Sequence, residues 1–405
     1  MKPGRGIDER QAKGKPGKLP VVVQMLLFMT LGNFSNSSYS PLAPFIKNSF
    51  LLTSAEVGLI TSVIFMGAIT VSLFSGFLVD RLGPYTAIKI SFAIIASGAV
   101  IIFLGHTYSV LIGGYYAIGF GYGIITPASN SLMMKEYYPD HATRMGVKQS
   151  GVPLGAAFSA AILPIIALNF TLRGSYLILI IMALAIAIVL PWERRKESGQ
   201  RIGKGYIKDL LSAGRSRPLL AVAVAVVFLS WGQQTLLTFF VLFEESKGIP
   251  IIFAEALLIV LLAGSVFGRM FWAYVSDRVF RKNRVHTLSL IMAIAGLVFV
   301  MFNLNGGNYA LAVAFSFIIG MNAVGWNSTY VTVISEIAPR AKVGLFSGVS
   351  LMLTGMGTII GTPVSGVIRD MFSFMEMWTV LGSALIVMSM VFLFVGSKYV
   401  KSSYS

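Results

Sequence analysis

Two cations lie where the sequence is otherwise apolar, and both could bind an anion. Arg269 lies inside the apolar stretch 253–276, eight residues before Asp277. At 1.5 Å per residue it would lie about 12 Å along a helix from that aspartate. A guanidinium binds a carboxylate through two parallel hydrogen bonds, which makes Arg269 a candidate anion site. Lys148 is either a second cation of this site, beside Gln149, or a side chain that snorkels to the surface.

Neutral polar side chains also occur inside apolar stretches, where they are costly unless they face a cavity or each other. The alternative for each is a hydrogen bond between packed helices. The candidate substrate ligands among them are Asn33, Asn36, Tyr39, Tyr122, Asn130, Trp231, Gln234, Asn322 and Asn327. The stretches that carry them contain no Asp or Glu. Glu56 and Glu255, near the outer ends of two other apolar stretches, are candidate proton sites, but we expect them to be solvated helix starts.

The chain lacks the residues of common catalytic and metal sites. It has no cysteine, which excludes disulfides and thiolate sites. Its histidines, His106, His141 and His286, all fall in polar breaks between apolar runs. We therefore predict a protein that is not an enzyme and that has no metal or cofactor.

The composition requires a membrane. Of 405 residues 56% are hydrophobic and 12% charged, and the mean hydropathy is +0.78, whereas a soluble domain carries about 25% charged residues. Nearly all of the twelve long apolar stretches, numbered here as spans 1 to 12, reach the about 20 residues that cross a bilayer. Their ranges are 20–46, 54–79, 85–105, 108–134, 144–168, 174–191, 218–243, 253–276, 285–304, 308–334, 343–368 and 374–396. We predict an all-α membrane protein with 12 transmembrane helices.

The formal net charge of +16 is distributed unequally between the two sides of the predicted membrane. Of the 32 Lys and Arg, 27 fall on the side of the two termini and 4 on the other, and Arg269 lies within a span. Positive loops stay in the cytoplasm, so we place both termini there, in an inner or plasma membrane. The excess positive charge thus indicates contact with anionic lipid rather than with nucleic acid.

An internal repeat divides the chain into two halves. Asp80-Arg81 after span 2 recurs as Asp277-Arg278 after span 8, and a Glu-x-x-Pro motif after span 4 recurs after span 10. Spans 1 to 6 therefore correspond to spans 7 to 12. The predicted organisation is a basic tail 1–19, a six-helix bundle 20–191, a cytoplasmic linker 192–217, a second bundle 218–396 and a tail 397–405.

The loop after span 2 resembles the Gly-x-x-x-Asp-Arg-x-Gly motif of the major facilitator superfamily, since it reads Gly76-Phe-Leu-Val-Asp80-Arg81-Leu-Gly83. The resemblance implies two pseudo-symmetric six-helix bundles and secondary active transport by alternating access. It also implies that spans 1, 4, 7 and 10 line the substrate path. In such proteins the loop charges act in gating, a role that falls here to Asp80, Arg81, Asp277 and Arg278.

An arginine at this distance before the span 8 aspartate also resembles the oxalate/formate antiporter and monocarboxylate transporter group, where it engages the substrate carboxylate. Those antiporters add a lysine in span 11, whereas residues 344–368 contain no cation. The favoured cargo is therefore a monocarboxylate, with a coupling proton or counter-anion as a further partner of a monomeric carrier. The alternatives are an exporter of drug-like molecules, a sugar carrier and a transporter-like membrane sensor.

Overall fold

Every predicted span is helical in a computed structural model of the chain, which describes residues 19–137, 142–193, 212, 214–280, 283–302, 308–338 and 343–399. The helices of spans 1 to 6 are Val21–Asn36 with Ala43–Phe50, Ser54–Leu82, Pro84–Leu104, Tyr108–Tyr137, Ala142–Gln149 with Gly151–Asn169, and Leu172–Val189. The helices of spans 7 to 12 are Arg217–Ser246, Ile251–Tyr274, Arg284–Met301, Tyr309–Ile319 with Asn327–Ile337, Val343–Met371 and Phe374–Tyr399. Most of the predicted tails and of the linker lies outside the described residues.

The lengths and composition of these helices fit a membrane. Within the described part of the chain, ten helices are long and apolar enough to cross a bilayer, and Val21–Asn36 is a shorter apolar helix. Successive spans run in opposite directions, so their ends form two faces. We call the face with Val21 and Tyr399 the terminal face, and the face with the turn at Leu51 the distal face.

Span 1 is not the continuous helix that its apolar run suggested. Its helix ends at Asn36, the chain turns through residues 37–42, and a short helix resumes at Ala43. Pro41 accounts for the break, because a proline lacks the amide hydrogen and disfavours a helical conformation in the residue before it. Pro44 lies in the first turn of the new helix, where no amide hydrogen is needed. Span 10 is also interrupted, by a π-helical turn at Gly320–Val324.

The packing repeats after six spans. In the first half span 3 packs on span 6, span 1 on span 5, and span 2 on span 4; in the second half span 9 packs on span 12, span 7 on span 11, and span 8 on span 10. The halves meet where span 2 contacts span 11 and span 5 contacts span 8. This arrangement leaves a central space between the halves.

Glycines allow the close helix approaches within each half. A Cβ atom on Gly119 would lie 2.0 Å from the carbonyl oxygen of Ile64, and one on Gly264 would lie 2.3 Å from that of Phe317. Small residues at such contacts let helices touch in lipid. The glycine pairs of the spans therefore serve packing, as their helical spacing suggests.

Candidate functional site

A cavity of about 340 Å³ lies between the two halves. Spans 2, 4 and 5 of the first half and spans 7, 10 and 11 of the second half contribute to its wall. The lining residues are Phe65, Ala68, Ile69, Ser72, Tyr122, Gly123, Thr126, Pro127, Gln149, Ser230, Gln233, Gln234, Trp326, Asn327, Tyr330, Thr354 and Gly355. The volume is within the range of about 300 to 1,000 Å³ that is typical of small-molecule sites.

The cavity wall is polar and aromatic but uncharged. Asn327 donates a hydrogen bond from Nδ2 to Gln233 Oε1 at 3.0 Å, which joins spans 10 and 7. The Oε1 atom of Gln234 is buried and has no partner among the described residues. Such a wall offers hydrogen bonds to hydroxyl or amide groups and stacking surfaces from Trp326 and Tyr330.

Arg269 lies close to the cavity but not in its wall. Its side chain is half-buried, its Nε atom has no hydrogen-bond partner within the described residues, and its backbone oxygen accepts a bond from Ser328 Oγ at 2.9 Å. Tyr122, a wall residue from the opposite half, is within electrostatic range of the guanidinium. The structure describes no carboxylate paired with Arg269. The arginine is therefore available to an anion that enters through the Tyr122 side of the wall.

Lys148 does not snorkel to the surface. Its side chain is 1% exposed and lies between helices, where Nζ donates to Ser129 Oγ at 3.2 Å and to Asn130 Oδ1. Asn130 itself is exposed towards the terminal face. The adjacent Gln149 lines the cavity, but Lys148 does not. Lys148 thus ties span 5 to span 4 behind the cavity wall.

The candidate ligands of span 1 lie elsewhere. Asn33 is buried and donates to Val152 O at 2.7 Å and to Ser37 Oγ at 3.0 Å, which holds span 1 against span 5. Asn36 is also buried. Tyr39 lines a small crevice on the distal side, between the halves. Span 1 therefore contributes to helix packing and to distal closure, and none of its residues is in the cavity wall.

Two candidates of the second half also face neighbouring helices. Trp231 donates from Nε1 to Ser365 Oγ of span 11 at 2.8 Å. Asn322 lies in the π-helical turn of span 10 and donates to Ile318 O at 2.7 Å, while its buried Oδ1 has no partner in the described structure. Of the predicted ligands, the wall includes Tyr122, Gln149, Gln234 and Asn327.

The halves contact each other on the distal side of the cavity. Asp370, at the end of span 11, accepts hydrogen bonds from the backbone amides of Ser54 at 3.0 Å and Ala55 at 2.8 Å, which begin span 2. Deeper in the molecule, Thr61 and Thr238 share a hydrogen bond of 2.7 Å. The distal side is therefore closed, and the cavity lies on the terminal side of these contacts.

A lysine completes this distal contact. Lys47 donates from Nζ to Ser54 Oγ at 3.1 Å. Burial lowers the pKa of Lys47, and the nearby Arg369 lowers it further, while the carboxylates of Asp370 and Glu245 raise it. Charged groups of both halves therefore meet at the beginning of span 2.

The predicted gating charges lie at the terminal face. Asp277 pairs with Arg284 at 2.5 Å, and Arg284 pairs with Glu336 at 2.9 Å, so the network joins spans 8, 9 and 10 of one half. Arg81 and Arg278 are exposed. The side chain of Asp80 lies outside the described residues. In this distally closed arrangement, the ion pairs of Asp277 and Arg284 that the described residues show join helices of the second half.

The two glutamates at the beginning of spans 2 and 8 differ, and the expectation of two solvated helix starts is wrong for one of them. Glu56 is half-buried and accepts hydrogen bonds from Thr53, in a capping box at the first turn of the helix. Glu255 is 4% exposed, and neither carboxylate oxygen has a partner among the described residues. The sequence environment of Glu255 is apolar on both sides, which is the signal that could have indicated burial.

Spans 2 and 11 supply wall residues that the sequence reasoning missed. They contribute Phe65, Ala68, Ile69, Ser72, Thr354 and Gly355. These side chains are small or apolar and give no sign of a binding site in the sequence. The glycines at 355 and 357 are the sequence signal that span 11 packs closely on another helix. In the structure a Cβ atom on Gly355 would lie 2.5 Å from Ile69 of span 2.

Comparison with known proteins gives matches over most of the chain. A family model described as Major Facilitator Superfamily matches residues 25–362. The hexuronate transporter of Bacillus subtilis (strain 168) is 25% identical over 383 residues, which cover 87% of this chain and 88% of that protein. The quinolone resistance protein NorA of Staphylococcus aureus (strain Mu50) is 23% identical over 355 residues, which cover 85% and 89%.

A solved structure has the same fold. A bacterial homolog of the human lysosomal transporter Spinster, in an inward-facing and occupied conformation, matches with a TM-score of 0.72 at 17% identity. The match covers 97% of this chain and 98% of that one. At this identity the likeness concerns the arrangement of the helices and not the cargo.

Proposed function

The chain belongs to the Major Facilitator Superfamily and is a multi-pass membrane transporter, and we propose that it carries a small organic anion, with a monocarboxylate as the favoured cargo, by alternating access. The observation that carries the proposal is Arg269, a cation inside a span that has no anionic partner among the described residues and lies beside the central cavity. A central arginine costs about 2.5 to 3.5 kcal/mol on insertion scales. A bound carboxylate offsets that cost.

The cavity wall fits the remainder of such a cargo. Gln233, Gln234 and Asn327 offer donors and acceptors, while Tyr122 and Trp326 offer aromatic faces. With its carboxylate bound to Arg269, the cargo would place its hydroxyl groups against the amides of the wall and a ring against the aromatic side chains. The hexuronate relative supports this class of cargo, because a hexuronate is a hydroxylated monocarboxylate.

The terminal face is assigned to the cytoplasm of an inner or plasma membrane. Of the Lys and Arg, 27 fall towards this face along the sequence, against 4 towards the distal face, and cytoplasmic loops are the positive ones. The cavity then lies on the cytoplasmic side of the closed distal contacts. Cysteines introduced at positions 199 and 306 of this cysteine-free chain test the assignment. Labelling of residue 199 from outside intact cells, with residue 306 protected, contradicts it.

Flux in proteoliposomes tests the cargo. We expect saturable uptake of a monocarboxylate by the parent protein and loss of most anion affinity in Arg269→Lys and Arg269→Gln, because a lysine cannot form the two parallel bonds. Arg173→Gln is the matched control, since Arg173 is exposed and bonds to His106 far from the cavity. Thermal shift with hexuronates, short monocarboxylates, neutral sugars and quinolones identifies the class that stabilises the parent.

The second candidate function is the export of drug-like molecules. The aromatic residues of the wall and the position of Arg269 outside it favour this reading, as does the likeness to NorA. Full saturable transport by Arg269→Gln would eliminate the anion proposal and support this candidate or a neutral sugar. Absence of any flux with ligand-induced stabilisation would instead support a membrane sensor.

A further inference from the structure

Glu255 is a buried acid that the proposed transport site does not use. It begins span 8 as Glu56 begins span 2, 199 positions earlier. The two differ in surroundings, because Glu56 caps its own helix with Thr53, whereas Glu255 is 4% exposed with both oxygens unpartnered within the described residues. The burial is by protein side chains, so the lipid does not supply the missing partners.

The carboxyl group belongs to the surface along which the halves meet. Leu258 and Leu262 lie three and seven residues after Glu255 and therefore share its helix face. Both leucines line the distal crevice, together with Tyr39 of span 1 and Ala156 of span 5. Separation of the halves on the distal side would expose this face of span 8 to water.

We infer that Glu255 is a proton-binding site, which takes up a proton when the distal side closes and releases it when the distal side opens. An ionised carboxylate without water or hydrogen-bond donors is strongly disfavoured, whereas the neutral acid is tolerated. In the open state water reaches the group, and it can ionise. The inference depends on alternating access and is independent of the identity of the cargo.

The charged groups around Glu255 agree with this assignment. Glu245, at the distal end of span 7, is the charged group within electrostatic range of Glu255. The neighbouring Glu244 pairs with Lys247 at 3.2 Å. Span 5 carries no charged residue between 151 and 169, and Tyr309 is the titratable group at the distal start of span 10.

Lys247 is a second group that titrates in the accessible range of pH. Burial lowers the pKa of Lys247 to about 8, although Glu244 opposes the shift. A pH response of the distal side must therefore be assigned with variants. The sign expected from Glu255 is clear: because the closed state binds one proton more than the open state, rising pH favours opening, by up to tenfold per pH unit.

Single cysteines in the cysteine-free chain report the opening. Ala156→Cys places a thiol in the distal crevice, and Leu51→Cys, at a side chain that is 90% exposed, gives a reference that opening does not change. The ratio of their alkylation rates, measured on purified protein without substrate between pH 5 and pH 9, removes the intrinsic pH dependence of the thiol. We expect the ratio to rise with pH in the parent.

Three variants assign the response. In Glu255→Gln, and in Glu255→Leu as a second variant of different polarity, the ratio should remain at its low-pH value throughout. Glu376→Gln, the control at an exposed acid near the distal face, should retain the parental curve. A flat curve in the parent, a parental curve in Glu255→Gln, or a high ratio at every pH in that variant would each overturn the inference. Because no cargo is present, none of these results bears on the anion proposal.

Discussion

Removal of the Asp370 charge should open the distal side. The carboxylate accepts two backbone hydrogen bonds, at 3.0 Å from Ser54 and 2.8 Å from Ala55, and these amides belong to the N-terminus of span 2 in the other half. An N-terminal cap contributes about 0.5 to 2 kcal/mol, and a negative charge at a helix N-terminus adds about 0.3 to 1 kcal/mol. Asn retains one acceptor, so we expect Asp370→Asn to weaken closure by about 1 kcal/mol, or roughly fivefold in the open-to-closed ratio.

The assay is the alkylation rate of a cysteine in the distal crevice, at a fixed pH of 7. In the Ala156→Cys background, Asp370→Asn should raise the rate about fivefold if the closed state dominates. Glu376→Gln is the matched control, because Glu376 is an acid near the same face that contacts Ser373 of its own half. High salt should reduce the difference, since part of it is electrostatic.

An unchanged alkylation rate in Asp370→Asn, at equal folded protein, would refute this account of distal closure. So would an equal increase in Glu376→Gln, which would indicate a general effect of lost negative charge. A lower rate would mean that Asp370 favours the open state, contrary to its contacts.

Three further substitutions test other parts of the structure. Gly366→Val should also favour distal opening, because a Cβ atom there would lie 2.4 Å from the carbonyl oxygen of Ser54, and the same alkylation assay measures it. Asp277→Asn should slow transport more than it lowers affinity, since Asp277 lies at the terminal face, and flux and binding must be measured separately to detect the difference. Lys148→Gln should leave the melting temperature equal or higher and reduce anion affinity less than Arg269→Gln, because it removes a buried charge that has no carboxylate partner among the described residues.

The fold could be predicted from the sequence because hydrocarbon imposes strict requirements on length and polarity. Each apolar stretch is helical, and the family and the transporter relatives confirm an all-helical membrane transporter rather than an enzyme. The interruption of span 1 could not be predicted, because residues 37–42, apart from Pro41, are of types that a transmembrane helix also tolerates. The relatives named above are a hexuronate transporter and a quinolone resistance protein, so the oxalate/formate and monocarboxylate grouping stays a prediction.

The site was only partly predictable, since polarity marks a residue as costly in lipid but does not show which way it points. Asn33 and Trp231 satisfy their polar atoms against neighbouring helices, and Tyr122 and Asn327 face the cavity. The four residues are alike in sequence context. Distinguishing those that face the cavity from those that face a neighbouring helix requires the rotation of each helix about its own axis, which is set by packing against the whole bundle. The apolar contributions of span 2 carry no chemical signal at all.

The repeat itself separates what the fold needs from what function adds. The close-packed glycines occur in both halves and serve a structure that is built twice. Arg269 breaks the repeat, because the position 197 residues earlier, at the offset of Asp80 and Asp277, is Ser72, which bonds to its own helix at Ile69. Glu255 breaks it as well, because the position 197 residues earlier is Gly58, and Glu56, the acid near the start of span 2, caps its own helix instead of being left unpartnered. Both exceptions lie on span 8, 14 residues and therefore about 21 Å apart along one helix face. A rigid movement of span 8 would consequently change the environments of Arg269 and of Glu255 together, so that under the two proposals made above one helix would link cargo to proton.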